Sequence, residues 1–319
     1  MLVNDTLTIA QTIFKRTLKL MGNRFEISVV ATDEDEGWAN NCIDAAINEI
    51  QRIEELFTTF SETSQTNLIN ANAGINPVKV DKEMYDIIHR AIKISEITQG
   101  AFDISYGSVD KRLWNFDKNM KALPDAKVAK QMVKLINYKN IVLEKENCTV
   151  FLKEKGMRIG FGGIGKGYAA ERAKYILKQN GVESGIVNAA GDLTTWGYQP
   201  NGKPWTIGIA NPNNCDLPFS YLNITDMAVA TSGNYEKFVV INGKKYSHTI
   251  DPKTGMPVHG IKSVTIISPN AEIADAMATP VTIMGIKAGL NMINQINNIS
   301  CIIIDDQDKI YTSKNINLI

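Results

Sequence analysis

Four short segments of the 319-residue chain combine residue types that chemistry can use. The most conspicuous is Gly160-Phe-Gly-Gly-Ile-Gly-Lys-Gly167, glycines and one lysine running from a strand-like stretch into a helical pattern that begins near Tyr168. Glycine removes the side-chain barrier to close approach, so such a loop brings backbone N–H groups and a helix N-terminus up to phosphates. Two common phosphate motifs match it only superficially. Gly160 to Lys166 satisfies GxxxxGK, yet Gly167 stands where a P-loop needs Ser or Thr to hold magnesium. Gly165 to Ala170 satisfies GxGxxA, without the parallel βαβ context that motif requires. The alternative is a tight turn that only packs a helix on a sheet.

Ala274-Asp-Ala-Met-Ala-Thr279 lies on a predicted helix and places Asp275 and Thr279 one turn apart on the same face. A carboxylate and a hydroxyl so placed are hard oxygen ligands suited to Mg²⁺, with phosphate oxygens and water completing an octahedron. Near a helix start, an acid such as Asp275 is more often simply favoured by the helix dipole. In Tyr246-Ser-His-Thr-Ile-Asp-Pro-Lys-Thr-Gly255 a strand ends at His248 and breaks into an Asp-Pro-x-x-Gly turn, a usual setting for a catalytic group. His248 stands between a functional and a core reading. The other two histidines, His89 in a helix stripe and His259 after Pro257, read as structural or surface. Lastly, Thr98-Gln-Gly-Ala-Phe-Asp103 ends a helix at Gly100, ordinary C-cap chemistry, and leaves Asp103 as a turn former or a ligand to adenine or ribose.

The elements that must position these residues are legible as patterns. Residues 13–31 alternate apolar and polar around Gly22-Asn23, which predicts a hairpin. Ile43, Ala46, Ile47, Ile50, Ile53 and Phe57 stripe an amphipathic helix, and Met84, Ile87, Ile88, Ala91 and Ile94 stripe a second over 81–98. The polar stretch FSETSQTNLINANAG between them reads as a loop. The charged stretch 117–147 reads as solvated connection with a short helix starting at Leu123-Pro124-Asp125-Ala126. From 149 onward, short β-rich runs (VFLKEKGMRIG, GIVNAAG, WTIGIA, MAVATSG, KFVVI, YSHTI, SVTIIS, CIIIDD) alternate with helices near 168–180, 272–284 and 287–297. Hairpins rather than strict βαβ alternation argue for an α+β fold with mostly antiparallel sheets. No repeat or linker divides the chain, so one functional unit is expected over 13–319 behind a tail at 1–12.

Composition narrows the function classes. Lys+Arg and Asp+Glu balance at 34 each, so nothing overall points to nucleic acid or an anionic membrane, and any anionic ligand needs a local site. With 44% hydrophobic and 21% charged residues the chain is an ordinary globular protein. No stretch approaches ~18 consecutive apolar residues, so no membrane span is expected. Cys42, Cys148, Cys215 and Cys301 are scattered singly and read as buried thiols. The N-terminus lacks the pattern of an export signal, which predicts a cytoplasmic protein, or a periplasmic or cell-surface one if a leader has been removed.

Taken together and in order, MGN at residue 21, FSETSQTNLIN, TQGAFD, GGIGKGYAAERA, GIVNAAGDL, WTIGIANP, AVATSGNYEKF, YSHTIDPKTGMPV and ADAMATPVTIMG resemble the ApbE family of FAD:protein FMN transferases. The resemblance spans Met21 to Gly285. It implies a two-lobed α+β unit with packed helices, FAD bound as substrate in the cleft between the lobes, and Mg²⁺ bridging its pyrophosphate. It also implies transfer of FMN to a Thr or Ser hydroxyl of an acceptor flavoprotein subunit or domain, with release of AMP. Carried over residue by residue, the metal ligands fall on the Asp275 carboxylate, the Thr279 hydroxyl and the Gly163 carbonyl. Flavin contacts fall on Met21, Phe60, Ala101, Phe102, Asp103, Lys166, His248 and Thr249. Lys166 would neutralise pyrophosphate charge, and His248 would accept the proton of the attacking hydroxyl. The chain departs from the family pattern at Gly160, where an acid is usual, at Asn23 in place of the Thr of MGT, and at Ala190 in place of the first glycine of Gly-Gly-Asp. Phe60 stands where many members have Tyr. Pro280, directly after Thr279, removes an N–H inside the metal helix and should kink it. The competing readings are a Mg²⁺-dependent FAD pyrophosphatase giving FMN and AMP, a non-catalytic flavin-binding protein, and, last, a P-loop nucleotidase. A homo-oligomer is compatible with all of them.

Overall fold

The computed structural model describes residues 10–110, 112–114, 120–211, 214–233 and 238–316, with the side chains of 214–217 left aside. It opens on a hairpin, β1 (Gln11–Leu20) and β2 (Asn23–Thr32), followed by α1 (Glu36–Phe57) and α2 (Gln65–Ala71). Next come β3 (Val78–Lys79), α3 (Lys82–Ile97), α4 (Ala126–Met132), β4 (Ile141–Glu144) and β5 (Thr149–Leu152). Then follow α5 (Gly165–Gln179), β6 (Gly185–Ala189), β7 (Asp192–Trp196), β8 (Trp205–Asn211), β9 (Asn214–Ile224) and β10 (Ala228–Gly233). The chain closes with β11 (Phe238–Ile241), β12 (Lys244–Ser247), β13 (Ile261–Ser268), α6 (Ala271–Met284), α7 (Ile286–Ile293), β14 (Ser300–Asp305) and β15 (Ile310–Thr312).

An eight-stranded sheet in the order β1-β2-β6-β7-β10-β13-β14-β15 forms the centre, and every pairing in it is antiparallel. The expected α+β class with antiparallel sheets is the one observed. One face of the sheet is covered by α1, α5 and α6, whose apolar stripes share a single large core with Phe25, Ile27, Val187, Val264 and Ile303. On the other face the β8–β9 hairpin lays Trp205, Ile207 and Ile209 over Val30, Leu193, Val229, Ile267 and Ile302. All eight residues of β13 are therefore buried, the polar Lys262, Ser263, Thr265 and Ser268 included. A third, separate cluster gathers Leu113, Trp114, Ala129, Val133, Val239, Ile241 and Ile250, joining α4 to the β11–β12 ribbon.

The first hairpin turns on Met21-Gly22, one residue earlier than the predicted Gly22-Asn23. Leu20 pairs with Asn23 across a two-residue loop whose φ angles, 49° and 73°, are both positive, the geometry whose twist matches the flanking strands. Asn23 Nδ2 donates to the Met21 carbonyl at 2.8 Å and stiffens it. The polar stretch read as a loop contains α2, started by Ser64, whose hydroxyl accepts from Asn67 N–H. A helix of seven residues has too few positions to show a stripe. Within 117–147, α4 does begin after Asp125, which accepts from Lys127 and Val128 N–H, but β4 was missed as a strand. Conversely, only Thr149–Leu152 of the run VFLKEKGMRIG is strand. β1 begins at Gln11, inside the stretch expected to be a tail. α6 continues through Pro280 to Met284. Cys42 and Cys301 are buried thiols and Cys148 is half-buried, while the Cys215 side chain lies outside the described residues. Of the motif AVATSGNYEKF, residues 234–237 also lie outside them.

Candidate active site

The glycine loop is anchored by its apolar members. Phe161 stacks on Phe57 with ring centroids 4.2 Å apart, and Ile164 is wholly buried. Gly162 and Gly163 are thereby turned outward, and Gly165 N–H closes the turn on the Phe161 carbonyl at 2.7 Å. Helix α5 starts at once. Gly167 explains the missing P-loop hydroxyl: a Cβ there would lie 2.1 Å from the Ala271 carbonyl oxygen and 2.8 Å from Asp275 Cβ. The residue is glycine because α5 crosses α6 at that point. Gly167 N–H, one of the orphan donors of a helix first turn, donates to Asp275 Oδ2 at 3.0 Å.

This crossing puts Lys166 beside Asp275. A polar cavity of about 280 Å³ opens there, lined by Gly163, Lys166, Asp192, His248, Asp275 and Thr279 among others. Five residues singled out from the sequence, scattered over more than a hundred positions, thus meet around one space. Asp275 and Thr279 face it from adjacent turns of α6, as their spacing predicted. Lys166 Nζ pairs with Asp192 Oδ2 and lies 3.5 Å from Asp275 Oδ1. Burial works against the ammonium, but the two carboxylates outweigh it and hold Lys166 above the ordinary lysine value. The cation is therefore permanent at neutral pH. Asp192 is pushed well above the usual carboxylate range by burial and by the charge of Asp275, against the pull of Lys166.

His248 joins the lining from just past the end of β12. Its corner is rigid. Ser247 N–H donates to the Val258 carbonyl at 2.8 Å, and Val258 N–H returns to the Thr249 carbonyl at 3.0 Å. Trp114 Nε1 donates to the Ser247 carbonyl at 2.8 Å. The Asp-Pro-x-x-Gly turn closes through Gly255 N–H to the Asp251 carbonyl at 2.8 Å. Gly255 has φ 74°, and a Cβ there would meet the Ala129 carbonyl at 2.4 Å. Only glycine satisfies both demands. Thr249 is buried behind His248.

The remaining predicted flavin contacts lie at different depths. Phe102 is buried, with an edge carbon 3.6 Å from where a Gly163 Cβ would stand, and Ala101 is buried beside it. Asp103 is occupied: Oδ1 accepts from Ser105 N–H (2.8 Å) and Oγ–H (2.6 Å), and Oδ2 from Tyr138 N–H (2.7 Å). Of the two readings of Asp103, the turn former is the one the geometry displays. Burial raises its carboxyl above the usual range, against these donors. Met21 lies on the hairpin turn with its N–H on Glu54 Oε2 at 2.8 Å. Phe60 is 96% exposed and outside the cavity lining.

Sequence reasoning missed Asp192, Thr231 and Ser232 in the lining. Asp192 carried a signal, an acid opening a strand whose five residues are all buried. It follows the two-residue turn Ala190-Gly191, where φ is 54° and 98°, so the family glycine replaced by Ala190 belongs to a left-handed position.

Among the described residues no group of three or more His, Cys, Asp and Glu side chains is assembled to hold a metal. What lines the cavity instead is a carboxylate residue, a hydroxyl residue and a loop glycine with its carbonyl, Asp275, Thr279 and Gly163. Such a set of hard oxygens suits Mg²⁺, which keeps waters and borrows substrate phosphates rather than demanding a full protein cage. No helix among the described residues is long and apolar enough to cross a membrane.

The ApbE family model matches residues 21–303. A Klebsiella pneumoniae protein named FAD:protein FMN transferase is 31% identical, over 85% of this chain and 81% of that one. A Treponema pallidum protein of the same name is 28% identical, over 86% and 81%. Among solved structures, the ApbE protein of Thermotoga maritima superposes with a TM-score of 0.84 at 30% identity, covering 95% of this chain and 97% of that one. The Pseudomonas stutzeri flavinyl transferase ApbE, at 23% identity over 96% of this chain and 95% of that one, shares the fold with a TM-score of 0.80.

Proposed function

The chain belongs to the ApbE family and is a flavin-transferring enzyme with FAD as its substrate, and we propose that it moves the FMN half of FAD onto a Thr or Ser hydroxyl of an acceptor protein with Mg²⁺, releasing AMP. The observation that carries this reading is the convergence of Lys166, His248, Asp275, Thr279 and Gly163 on one polar cavity. Phosphoryl transfer asks the protein for little covalent chemistry. It needs positioning and cancellation of charge.

In the step itself the acceptor oxygen forms a bond to the FMN phosphorus, and the bond from that phosphorus to the bridging oxygen of the pyrophosphate breaks. AMP leaves with the bridging oxygen, and the hydroxyl proton goes to His248. His248 lines the cavity just past the rigid corner after β12, and the acceptor hydroxyl would have to enter the cavity to meet it. Histidine suits that task because its ordinary pKa of about 6.5 lies near neutrality. Lys166 is held as an ammonium by its two carboxylates, so it serves as a fixed positive charge for phosphate oxygens rather than as a base. Asp275, Thr279 and the Gly163 carbonyl are the groups that would hold Mg²⁺. When bound, the metal supplies charge stabilisation for the pyrophosphate and the departing phosphate.

The test is incubation with FAD, Mg²⁺ and a candidate acceptor domain, followed by mass measurement of the acceptor and separation of the nucleotides. Transfer gives an acceptor heavier by one FMN less a water, together with AMP. Free FMN and AMP beside an unmodified acceptor, across several acceptor domains, would replace transfer with hydrolysis.

A further inference from the structure

Both oxygens of the Asp275 carboxylate already face a donor. Oδ2 accepts from Gly167 N–H at 3.0 Å, a contact locked by the helix crossing, and Oδ1 faces the Lys166 ammonium at 3.5 Å. The oxygen left for a cation is therefore the one that Lys166 addresses. The lysine has a second partner, Asp192, whose own position is fixed by a buried strand and a backbone hydrogen bond from Thr231. Its side chain is 25% exposed and ends in a flexible stem, so it can move without disturbing either core.

We propose that Lys166 is a built-in competitor of the divalent cation at Asp275, with Asp192 as the positioning residue that retains the lysine when the cation arrives. This rests on the placement of Mg²⁺ at Asp275 given above. Two positive charges crowded on one carboxylate oxygen repel strongly at such distances in a partly desolvated site. Loading the cation therefore turns the ammonium away from Oδ1. The phosphates of FAD are the natural recipients of the displaced charge. Free cation then binds weakly, whereas cation and FAD together bind cooperatively, which favours loading the metal only with the substrate it serves.

The experiment measures Mn²⁺ binding by electron paramagnetic resonance on the full chain without FAD. Wild type is compared with Lys166→Met, Asp192→Asn, the double variant and Asp275→Asn, each checked for folding by circular dichroism. The double variant decides the matter, because it removes the competing ammonium together with its paired carboxylate and so keeps the formal net charge of the wild-type site. Competition predicts that the double variant binds Mn²⁺ about tenfold more tightly than wild type, that Lys166→Met alone does so by more, and that Asp192→Asn alone binds more weakly. Equal or weaker binding by the double variant would show that only net charge matters and would overturn the proposal. Should Lys166→Met fail to fold, Lys166→Gln replaces it in both constructions. Undiminished binding in Asp275→Asn would move the metal elsewhere and refute its placement as well, an outcome separable from failure of the competition alone.

Discussion

Replacing Gly167 by alanine sets two effects against each other. In a helix interior, alanine is better than glycine by about 1 kcal/mol, so propensity alone predicts a more stable protein. The crossing of α5 and α6 predicts the reverse. The new methyl would sit 2.1 Å from the Ala271 carbonyl oxygen, 2.6 Å from its carbon and 2.8 Å from Asp275 Cβ, and two of those three atoms are backbone. The helices must separate by more than an ångström. Overpacking of this kind costs up to about 3 kcal/mol. Losing the 3.0 Å hydrogen bond from Gly167 N–H to the Asp275 carboxylate costs about 1.5 kcal/mol more, as a bond to a charged group. The net is a loss of up to about 3.5 kcal/mol, which at roughly 2 °C per kcal/mol for a chain of this size lowers Tm by about 7 °C. The same separation pulls Gly163 away from Asp275 and so spreads the oxygen set proposed for the cation, and divalent-cation affinity should fall together with stability. Differential scanning fluorimetry and Mn²⁺ titration measure the two. A Gly167→Ala protein with wild-type Tm or higher would show that the helices can part freely and that glycine is not required by the crossing.

Asp275→Ala should abolish Mg²⁺-dependent turnover with the fold intact by circular dichroism; equal activity at limiting Mg²⁺ would refute the metal assignment. His248→Ala should keep FAD affinity within about tenfold and lose transfer by about 10² or more, the low end for a general base, whereas affinity falling as far as rate would make His248 a binding residue. Ala190→Gly should raise stability by about 1 kcal/mol in chemical denaturation, because Ala190 sits at φ 54° where an L side chain is strained; no gain would mean the turn is relaxed. Arg52 holds Glu49 below its ordinary value through a side-chain hydrogen bond, and with Arg172 and Tyr168 it does the same for Glu83 against burial. Depressed carboxyls contribute stability above their unfolded pKa, about 4.3, and lose it as pH falls through the lower folded value. Arg52→Met should therefore lower Tm at pH 7, with the gap closing below about pH 4; a pH-independent gap would assign the loss to packing.

What could be read from the sequence followed from how local its cause was. The stripes of α1 and α3 and the Asp275/Thr279 pair are set by the 3.6-residue period, and the structure reproduces them. Asp125 as a helix start is likewise a local effect. The crossing at Gly167 was invisible because its partner, Ala271, lies far along the chain, and the loop consequently resembled a phosphate motif with one residue wrong. Asp192 escaped for the same reason, since an acid at a turn is unremarked until Lys166 is found beside it. Asp103 shows the converse, for a residue that a resemblance marks as a flavin contact also accepts three local hydrogen bonds, from Ser105 and Tyr138, that no sequence pattern announced. α2 and β4 were too short for periodicity to separate them from loop.

The two sides of the cavity are built on different apolar clusters. Asp275 and Lys166 belong to helices of the main core, whereas His248 lies between β12 and Ile250, at the edge of the smaller cluster of α4 and the β11–β12 ribbon. A relative shift of the two bodies would open polar cavity surface and leave both apolar clusters dry. Such a shift would serve the proposed reaction, because a folded acceptor would have to bring its own backbone, not just a hydroxyl, to the phosphorus. In hydrogen-exchange terms, the amides of the ribbon and α4 would constitute a separate opening unit, exchanging ahead of the doubly covered strand β13. His248, the proposed base, would then travel with the wall that yields, while Lys166 and Asp275 would stay with the wall that does not.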